Sequence, residues 1–349
     1  METVRRALAQ SLECGRFSGA SARALERAWH RWSAPRVARP LQVPDGVVTI
    51  AVGGPTLGGS GKTPLALACA RFIAEQQSAR VALIGHAYRA TPRIARVVHP
   101  SDDVRVVGDE ALMCVHAVSA PSPPEVRGLP RPTFNAEGGP GRGSLDVIVA
   151  PTRQLAIDLA LARGARILVL DGVLQMAPRR ATLSLLACDA LAPWGSDACP
   201  PCGDLRAPKD ALLAACDHVV TLSDDLVRSR GAFTSTGAML PYEQLARMNL
   251  GLVTSVARPA RIRERLRTRG VVPRAVFHAS DHGVPSPREL ASLAATHCVE
   301  GWLATHKCSI HLRNSSVLPL YVMEHDVHLD TTLRCVLRDA IGPEKTREM

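Results

Sequence analysis

Long apolar runs are missing from this sequence. No stretch approaches the roughly 18 uninterrupted apolar residues that a membrane-spanning helix needs, so we expect no span. The segment 1–32 carries charges throughout, which is not the pattern of a secretory signal. Residues 8–32 predict one or two amphipathic helices, which either pack on the protein or lie on a membrane surface.

Aromatic residues are scarce, at 3% of the chain, so its cores must be built from alanine, valine and leucine. Its ten cysteines show no repeating pattern, which indicates reduced thiols rather than a disulfide framework. Cys199 and Cys202 have the spacing of a redox pair or half a zinc site. No second pair follows, so a loop with two free thiols is the preferred interpretation.

Positive charge is in excess, with a formal net charge of +10. Such an excess suggests nucleic acid, a phospholipid surface or a phosphorylated substrate as partner, or simply a solvated basic surface. The sequence has no nucleic-acid motif and no basic patch interleaved with aromatic residues, so we expect no nucleic-acid partner.

Short apolar runs alternate with helix-like segments. This order predicts an α/β fold: a P-loop-type, doubly wound, mostly parallel sheet with a second, smaller α/β domain. We expect an N-terminal helical segment at 1–46, a nucleotide-binding kinase domain at 47–232 and the smaller domain, which closes the site, at 245–342. A polar linker is predicted around 228–236, and the run 104–108 predicts a short strand.

The clearest motif is a glycine-rich turn between a predicted strand ending at Val52 and a predicted helix. Glycine lets such a turn bring backbone N–H groups together on phosphate oxygens, and the helix N-terminus adds its positive dipole end. Lys62 can reach the β and γ phosphates, and the Thr63 hydroxyl can ligate Mg²⁺. The predicted phosphate-binding residues are Thr56, Gly58, Gly59, Ser60, Gly61, Lys62 and Thr63.

The loop matches the pattern G-x-x-x-x-G-K-[ST] in part, because Thr56 stands at the first glycine position. The alternative is an incidental glycine-rich turn. The strand before the loop and the helix after it are the context that the pattern requires, and they favour a nucleoside triphosphate site.

Carboxylates are the second requirement of phosphoryl transfer. Asp171 ends a predicted strand, at the sheet edge where open α/β sheets bind ligands, and is the candidate metal ligand. Asp109 and Glu110 open a predicted helix, where ordinary helix capping explains them equally well. His282 follows Asp281 after a strand of the second domain, as a proton-accepting pair or a structural turn.

Together these motifs resemble the tetraacyldisaccharide 4'-kinase family, the lipid A 4'-kinases of Gram-negative bacteria. The family reads T-x-G-G-x-G-K-T-P, V-G-D-E, a single Arg, D-D-G-F-Q, P-x-G-x-L-R-E-P and F-x-D-H in order. The similar stretches here are Thr56–Pro64, Val107–Glu110, Arg153, Asp171–Gln175, Pro201–Pro208 and Phe277–His282.

The resemblance implies ATP and Mg²⁺, and transfer of the γ-phosphoryl group to the 4'-hydroxyl of a lipid-linked glucosamine disaccharide phosphate. It implies work at the cytoplasmic face of the inner membrane, as a peripheral protein with no obligate protein partner. Asp109 is then the expected base, supported by His282, and Lys62 the phosphate-holding catalytic cation. The metal ligands implied are Thr63, Glu110 and Asp171.

The chain departs from the family pattern at several positions. Gly172 replaces the second Asp of D-D-G-F-Q, and Ala207 the Glu of L-R-E-P. The family's S-R-G-Y-G-R is reduced to Tyr88 within 85–90, and its T-E-K-D to Thr305-His-Lys-Cys308. Two alternatives therefore stay open: a P-loop kinase for another hydroxyl acceptor, and a non-catalytic ATP-binding protein.

Overall fold

The computed structural model describes residues 11–12, 14–85, 87, 90–119, 144–255, 259–278, 286–312 and 318–343. In these residues strands and helices alternate, as the sequence predicts. The helices are α1 Ala20–Ser33, α2 Lys62–Gln76, α3 Val104–Val107, α4 Asp109–Ser119, α5 Arg153–Ala162, α6 Lys209–Ala215, α7 Tyr242–Leu245, α8 Pro259–Thr268, α9 Pro287–His297, α10 His306–Leu312 and α11 Thr331–Ile341, with a 3₁₀ turn at Ala34–Arg36.

The strands are short and spread along the whole described chain. Their bounds are β1 Ala38–Pro40, β2 Val48–Gly53, β3 Val81–Ile84, β4 Arg96–Val97, β5 Leu145–Val149, β6 Ile167–Asp171, β7 Gln175–Ala177, β8 Leu183–Asp189, β9 His218–Leu222, β10 Val227–Arg228, β11 Gly231–Phe233, β12 Met239–Pro241, β13 Leu250–Thr254, β14 Ala275–His278, β15 Gly301–Ala304, β16 Leu320–Met323 and β17 Asp326–Val327.

A seven-stranded sheet carries the glycine-rich loop. Its order is β4-β5-β3-β6-β2-β8-β9, and every pairing is parallel except that of β4 with β5. The central strands are buried along their length, as expected when helices cover a parallel sheet. Helix α2 packs on β2, β3, β6 and β8, and α5 packs on β3 and β5. This confirms the mostly parallel, doubly wound sheet.

A second, six-stranded sheet has the order β12-β11-β16-β15-β13-β14. Strands β14, β13, β15 and β16 run parallel, while β11 is antiparallel to both of its neighbours. Its core includes the fully buried Trp302 and the apolar faces of α9 and α10. This sheet with its helices is the second, smaller α/β part of the fold that the alternation predicted.

The described residues fall into two compact units, one holding 11–226 and 327–343, the other 227–255, 259–278, 286–312 and 318–326. Helix α11 belongs with the large sheet because Arg334 and Arg338 lie over the Phe72 ring of α2. The predicted limits of 1–46, 47–232 and 245–342 stay a prediction, and α11 is where the compact units differ from them.

Two local predictions are wrong. The run 104–107 forms the one-turn helix α3 rather than a strand, because the Asp103 carboxylate caps it by accepting the Arg105 N–H. The predicted polar linker at 228–236 contains β11 and one of the two residues of β10, because residues 231–233 pair with β12 and β16. In the described part of the chain no helix is both long and apolar enough to cross a bilayer.

Candidate active site

The glycine-rich loop joins the end of β2 to the start of α2, as its sequence predicts. Gly59 and Gly61 adopt left-handed backbone conformations, with φ of 72° and 80°, which other residues rarely adopt. Gly54 lies against the hydroxyl of the buried Ser60, so a side chain at 54 would strike it. The loop is therefore a closely folded turn immediately before a helix N-terminus, with Lys62 as the first helical residue.

Thr56, which stands at the first glycine position of the sequence pattern, has a structural role in the loop. Its hydroxyl donates to the carbonyl of Gly58 at 2.8 Å, and its own carbonyl accepts from Nε of Arg206 at 2.7 Å. The Thr56 side chain thus closes the turn, and the Arg206 side chain bonds to the backbone of the turn. Burial lowers the pKa of the Arg206 guanidinium, and the nearby Arg39 lowers it further. Sequence reasoning noted Arg206 only as part of a family motif and did not identify this contact.

Asp171 lies beside the loop. It is the last residue of β6 and is in register with Val52, so the strand end and the loop share one sheet edge. Thr63 Oγ1 donates to Asp171 Oδ2 at 2.7 Å. The carboxylate is 2% exposed, and its Oδ1 has no hydrogen-bond partner among the described residues. A buried carboxylate oxygen without a partner is available to a cation.

Charge converges on the same carboxylate. Burial raises the pKa of Asp171; Lys62 opposes this rise, and Glu110 adds to it. The predicted residues Lys62, Thr63 and Glu110 are therefore brought together around Asp171. A bound cation would favour the ionised carboxylate by the same electrostatic argument.

Arg153 covers the end of β6. Its Nη2 donates to the carbonyl of Asp171 at 2.8 Å, while its Nε is buried without a partner among the described residues. Burial lowers the pKa of Arg153, although an arginine stays protonated in proteins. Gly172 has φ of 74°, and a Cβ built there would lie 2.9 Å from Arg153 Nη2. Arg153 thus occupies the space beside the position where the family pattern has its second Asp.

Asp109 and Glu110 form the first turn of α4, and Asp109 is 2% exposed. Cys114 lies one turn further along this helix. Burial raises its pKa well above the usual value, and the charges of Asp171 and Glu110 raise it further. The first turn of α4 is therefore close enough to the end of β6 for their charges to interact.

The donor set fits a divalent ion held partly by its substrate. Thr63, Asp171 and Glu110 offer hydroxyl and carboxylate oxygens, which are the ligands that Mg²⁺ prefers. Within the described ranges, no three His, Cys, Asp or Glu side chains form a complete metal site. Phosphate oxygens and water would thus supply the remaining ligands. His282 and Asp281 lie outside the described residues.

Three further positions singled out in the sequence lie in or near one apolar cluster or loop. Cys199 and Cys202 are both free thiols, as the sequence suggested. Ala207, at the family's Glu position, is buried in an apolar cluster with Cys199 and Leu205. It offers no oxygen to a cation, so this position contributes packing alone.

Comparison with known proteins finds one family. The model described as "Tetraacyldisaccharide-1-P 4'-kinase" matches residues 27–122 and 141–342. A tetraacyldisaccharide 4'-kinase of Azorhizobium caulinodans is 30% identical over 281 residues, covering 76% of this chain and 75% of that protein. Enzymes of the same name from Methylobacterium sp. (strain 4-46) and Dichelobacter nodosus are each 29% identical, covering 89% and 68% of this chain and 91% and 68% of their own lengths.

A solved structure shares the fold. It is LpxK from Aquifex aeolicus in complex with ATP, with a TM-score of 0.64 over 91% of this chain and 98% of that one. The sequences are 16% identical, so the likeness concerns the fold.

Proposed function

We propose a function from the premise that this chain belongs to the tetraacyldisaccharide-1-P 4'-kinase family, whose model matches most of it. The protein transfers the γ-phosphoryl group of ATP to the 4'-hydroxyl of a lipid A disaccharide-1-phosphate precursor. The observation that carries the proposal is the 2.7 Å hydrogen bond from Thr63 to Asp171. It joins the helix after the phosphate loop to the carboxylate on the neighbouring strand, which is the arrangement a magnesium nucleotide requires.

We assign binding of the triphosphate to the loop and to two positively charged side chains, those of Lys62 and Arg153. Backbone N–H groups of residues 58–61 and the N-terminus of α2 would hold the β and γ phosphates. Lys62 supplies a positive charge at the first turn of α2. Arg153, with a buried Nε that lacks a partner among the described residues, would donate to the phosphoryl group in transfer.

A magnesium ion is assigned to Thr63, Asp171 and Glu110. When bound, it would neutralise charge on the β and γ phosphate oxygens. The buried, unpartnered Oδ1 of Asp171 supports this assignment, because the ion would supply the missing partner.

Asp109 is proposed as the base that accepts the proton of the 4'-hydroxyl. Its burial at the start of α4, beside Glu110 in the chain, supports a carboxylate placed for chemistry rather than for solubility. Assistance by His282 stays a prediction from the family pattern.

The test is direct transfer. Purified protein is incubated with labelled ATP, Mg²⁺ and detergent-dispersed disaccharide-1-phosphate lipid, with Lys62→Ala and Asp109→Ala beside it. Lys209→Ala is the matched control, because Lys209 is likewise the first residue of a helix but lies over the Trp194 ring. We expect product with the native protein and the control, and a loss of at least about 100-fold in both site variants.

ATP binding without product would contradict the proposal. Transfer to another hydroxyl acceptor would then support a kinase of different specificity, and absence of transfer to any acceptor a non-catalytic ATP-binding protein.

Contact with the inner-membrane surface is the second part of the proposal. On α1, Leu25 and Trp32 are 62% and 52% exposed and lie seven residues apart, on one face of the helix. Arg23, Arg27 and Arg31 form an exposed stripe at four-residue spacing. The arginines lie on the side of the helix away from Leu25 and Trp32, and exposed apolar residues on one side with arginines on the other are typical of a helix that lies on anionic lipid.

This part is tested with vesicles. Leu25→Ser with Trp32→Ser should weaken sedimentation with anionic vesicles, compared with Leu213→Ser, which changes an exposed leucine of α6. Equal sedimentation of both variants would argue that α1 is not the membrane contact.

A further inference from the structure

A segment here called the strap, residues 196–206, braces the phosphate loop. The strap is a tightly bonded turn. Asp204 accepts from the N–H of Ser196 at 3.0 Å and from its hydroxyl at 3.1 Å. The N–H groups of Gly203 and Leu205 donate to Cys199 and Ala198, both at 2.9 Å. Because these hydrogen bonds tie the two ends of the strap together, the position of one end depends on the position of the other.

The strap holds the first half of the phosphate loop. Arg206 donates its backbone N–H to Pro55 and its Nε to Thr56, both at 2.7 Å. The Leu57 N–H donates back to the Asp204 carbonyl at 2.9 Å. These bonds fix the orientation of the peptides at 55–57, and with it the direction from which the following glycines approach a phosphate.

Helix α1 holds the strap from the other side. The indole Nε1 of Trp29 donates to the carbonyl of Arg206 at 3.1 Å, on the residue that grips the loop. The Glu26 carboxylate accepts from the N–H of Cys199 at 2.9 Å, at the other end of the strap. Trp29 also packs against the apolar cluster that contains Cys199 and Leu205.

We propose that Trp29 and Glu26 are positioning residues for the phosphate loop, acting through the strap and Arg206. The inference rests on the proposed ATP-dependent function and adds residues of α1 to it. Glycine-rich loops lose much conformational entropy on ordering. A brace that orders this loop before ATP arrives therefore raises the affinity for ATP.

The test measures ATP binding by calorimetry, with Mg²⁺ and full-length protein in detergent. Trp29→Phe keeps an aromatic ring but removes the donor to Arg206, and we expect the Kd for ATP to rise about 3- to 10-fold. Trp194→Phe is the matched control: it removes an indole from the same cluster without removing a bond to the strap. The control should lower the unfolding temperature but leave the Kd for ATP within about twofold of native.

A double-mutant cycle separates positioning from general loosening. Arg206→Lys keeps the charge but loses the guanidinium geometry that reaches Thr56. Trp29 bonds to the Arg206 backbone, whose bond to Pro55 survives in Arg206→Lys while the side-chain bond to Thr56 is lost, so Trp29→Phe should have a smaller but measurable further effect in that background. Additive effects on the Kd would overturn the inference, as would a Trp29→Phe protein with native affinity. Glu26→Ala supplies a second arm if Trp29→Phe folds poorly, with an expected rise of about 3-fold.

Kinetics supply a further readout. The KM for ATP should rise in Trp29→Phe while the KM for the lipid acceptor stays near native, a split that a general loss of stability would not produce. If the native protein itself fails to bind ATP, the proposed function fails. Native binding with no change in Trp29→Phe or Glu26→Ala would overturn the inference alone.

Discussion

The two sheets of this protein end in different chemistry, although both place parallel strands side by side. At the end of β6, beside β2, the large sheet has a buried carboxylate with an unpartnered oxygen. After β13 and β15, the small sheet has a cluster centred on Cys308. Its Sγ accepts from the N–H of Ser255 at 3.2 Å and from the hydroxyl of Thr305 at 3.0 Å, and lies 3.3 Å from the Ser255 hydroxyl.

From this difference we expect a binding edge on the large sheet and a structural cluster on the small one. The polar groups of Ser255, Thr305 and Cys308 bond to one another, so they stabilise their own loops. The large sheet instead leaves Asp171 Oδ1, Arg153 Nε and Ser60 Oγ buried without partners among the described residues. Burying such groups without partners is costly, and a ligand at this edge would complete them. Parallel strands that end side by side therefore do not by themselves indicate a functional site.

The largest effect is expected at Asp171. Asp171→Asn should lower kcat at least about 100-fold, because the amide cannot balance a divalent cation as a carboxylate does. The matched change is Asp146→Asn, which removes a buried carboxylate paired with Arg80 and Arg163. That variant should unfold more easily yet keep its turnover per folded molecule. Initial rates and thermal unfolding of both variants give the comparison, and equal loss of rate would break it.

The pH dependence of stability gives a second test at Asp171. Burial raises the pKa of Asp171, so the folded state binds this proton more readily than the unfolded state does. The free energy of unfolding therefore falls as pH rises from the ordinary carboxyl pKa through the raised one. Asp171→Asn should be more stable than the native protein above this window and equal to it below. Urea unfolding across pH measures the difference, and a variant less stable at neutral pH would contradict it.

Arg153→Lys should have the next largest effect, a fall of about 10-fold in kcat/KM for ATP. Lysine keeps the charge but not the planar group that donates to the Asp171 carbonyl and that we propose also binds a phosphate. Arg163, just after the same helix, pairs with Asp146 and serves as control. If Arg163→Lys lost as much activity, charge near α5 rather than the placement of Arg153 would be responsible.

Gly172→Ala should have a smaller effect. A left-handed backbone costs alanine about 1–2 kcal/mol, and the new methyl group would also displace Arg153. Gly164 has a similar φ of 83° but open space around its missing Cβ. Gly164→Ala should therefore lose similar stability and no activity, whereas Gly172→Ala should lose both. Denaturant unfolding and steady-state rates decide, and full activity in Gly172→Ala would show that Arg153 tolerates displacement.

The smallest effect on activity is expected in the small sheet. Cys308→Ala removes the acceptor of the Ser255 and Thr305 hydrogen bonds and should cost about 1–3 kcal/mol of stability, with near-native turnover per folded molecule. Cys308→Ser offers an oxygen acceptor and should recover part of that stability. A 10-fold loss of turnover in folded Cys308→Ala would break the comparison, because the small-sheet edge would then act in catalysis.

Much of the site follows from local patterns. The glycine-rich loop and Asp171 lie where the sequence predicts them, because apolar runs mark the strands and the site residues follow directly after them. The brace from Arg206 to Thr56 spans 150 residues, and no local pattern reveals such a contact. Strand β8 was missed, although its run Leu183–Asp189 is buried throughout and pairs with β2.

The two wrong predictions have different origins. In the run 104–107, valines favour a strand, yet one cap from Asp103 suffices to turn four residues into a helix. At 228–236 serine and threonine indicate a loop, while pairing of Gly231–Phe233 with the nearby β12 and the distant β16 makes part of it a strand inside the sheet. A local cap decided the first segment, and pairing with other strands decided the second.

Gly172 also constrains how this protein can evolve. An aspartate there would match the family pattern, but it would have to enter a left-handed backbone and displace Arg153. A single substitution of Gly172 by aspartate would therefore strain the backbone and displace Arg153, while no other residue had changed to bind the new carboxylate. The benefit of aspartate at 172 thus depends on a prior or simultaneous change around 153. Positions 153 and 172 should accordingly behave as an epistatic pair, so that mutational scans of single sites would report aspartate at 172 as deleterious.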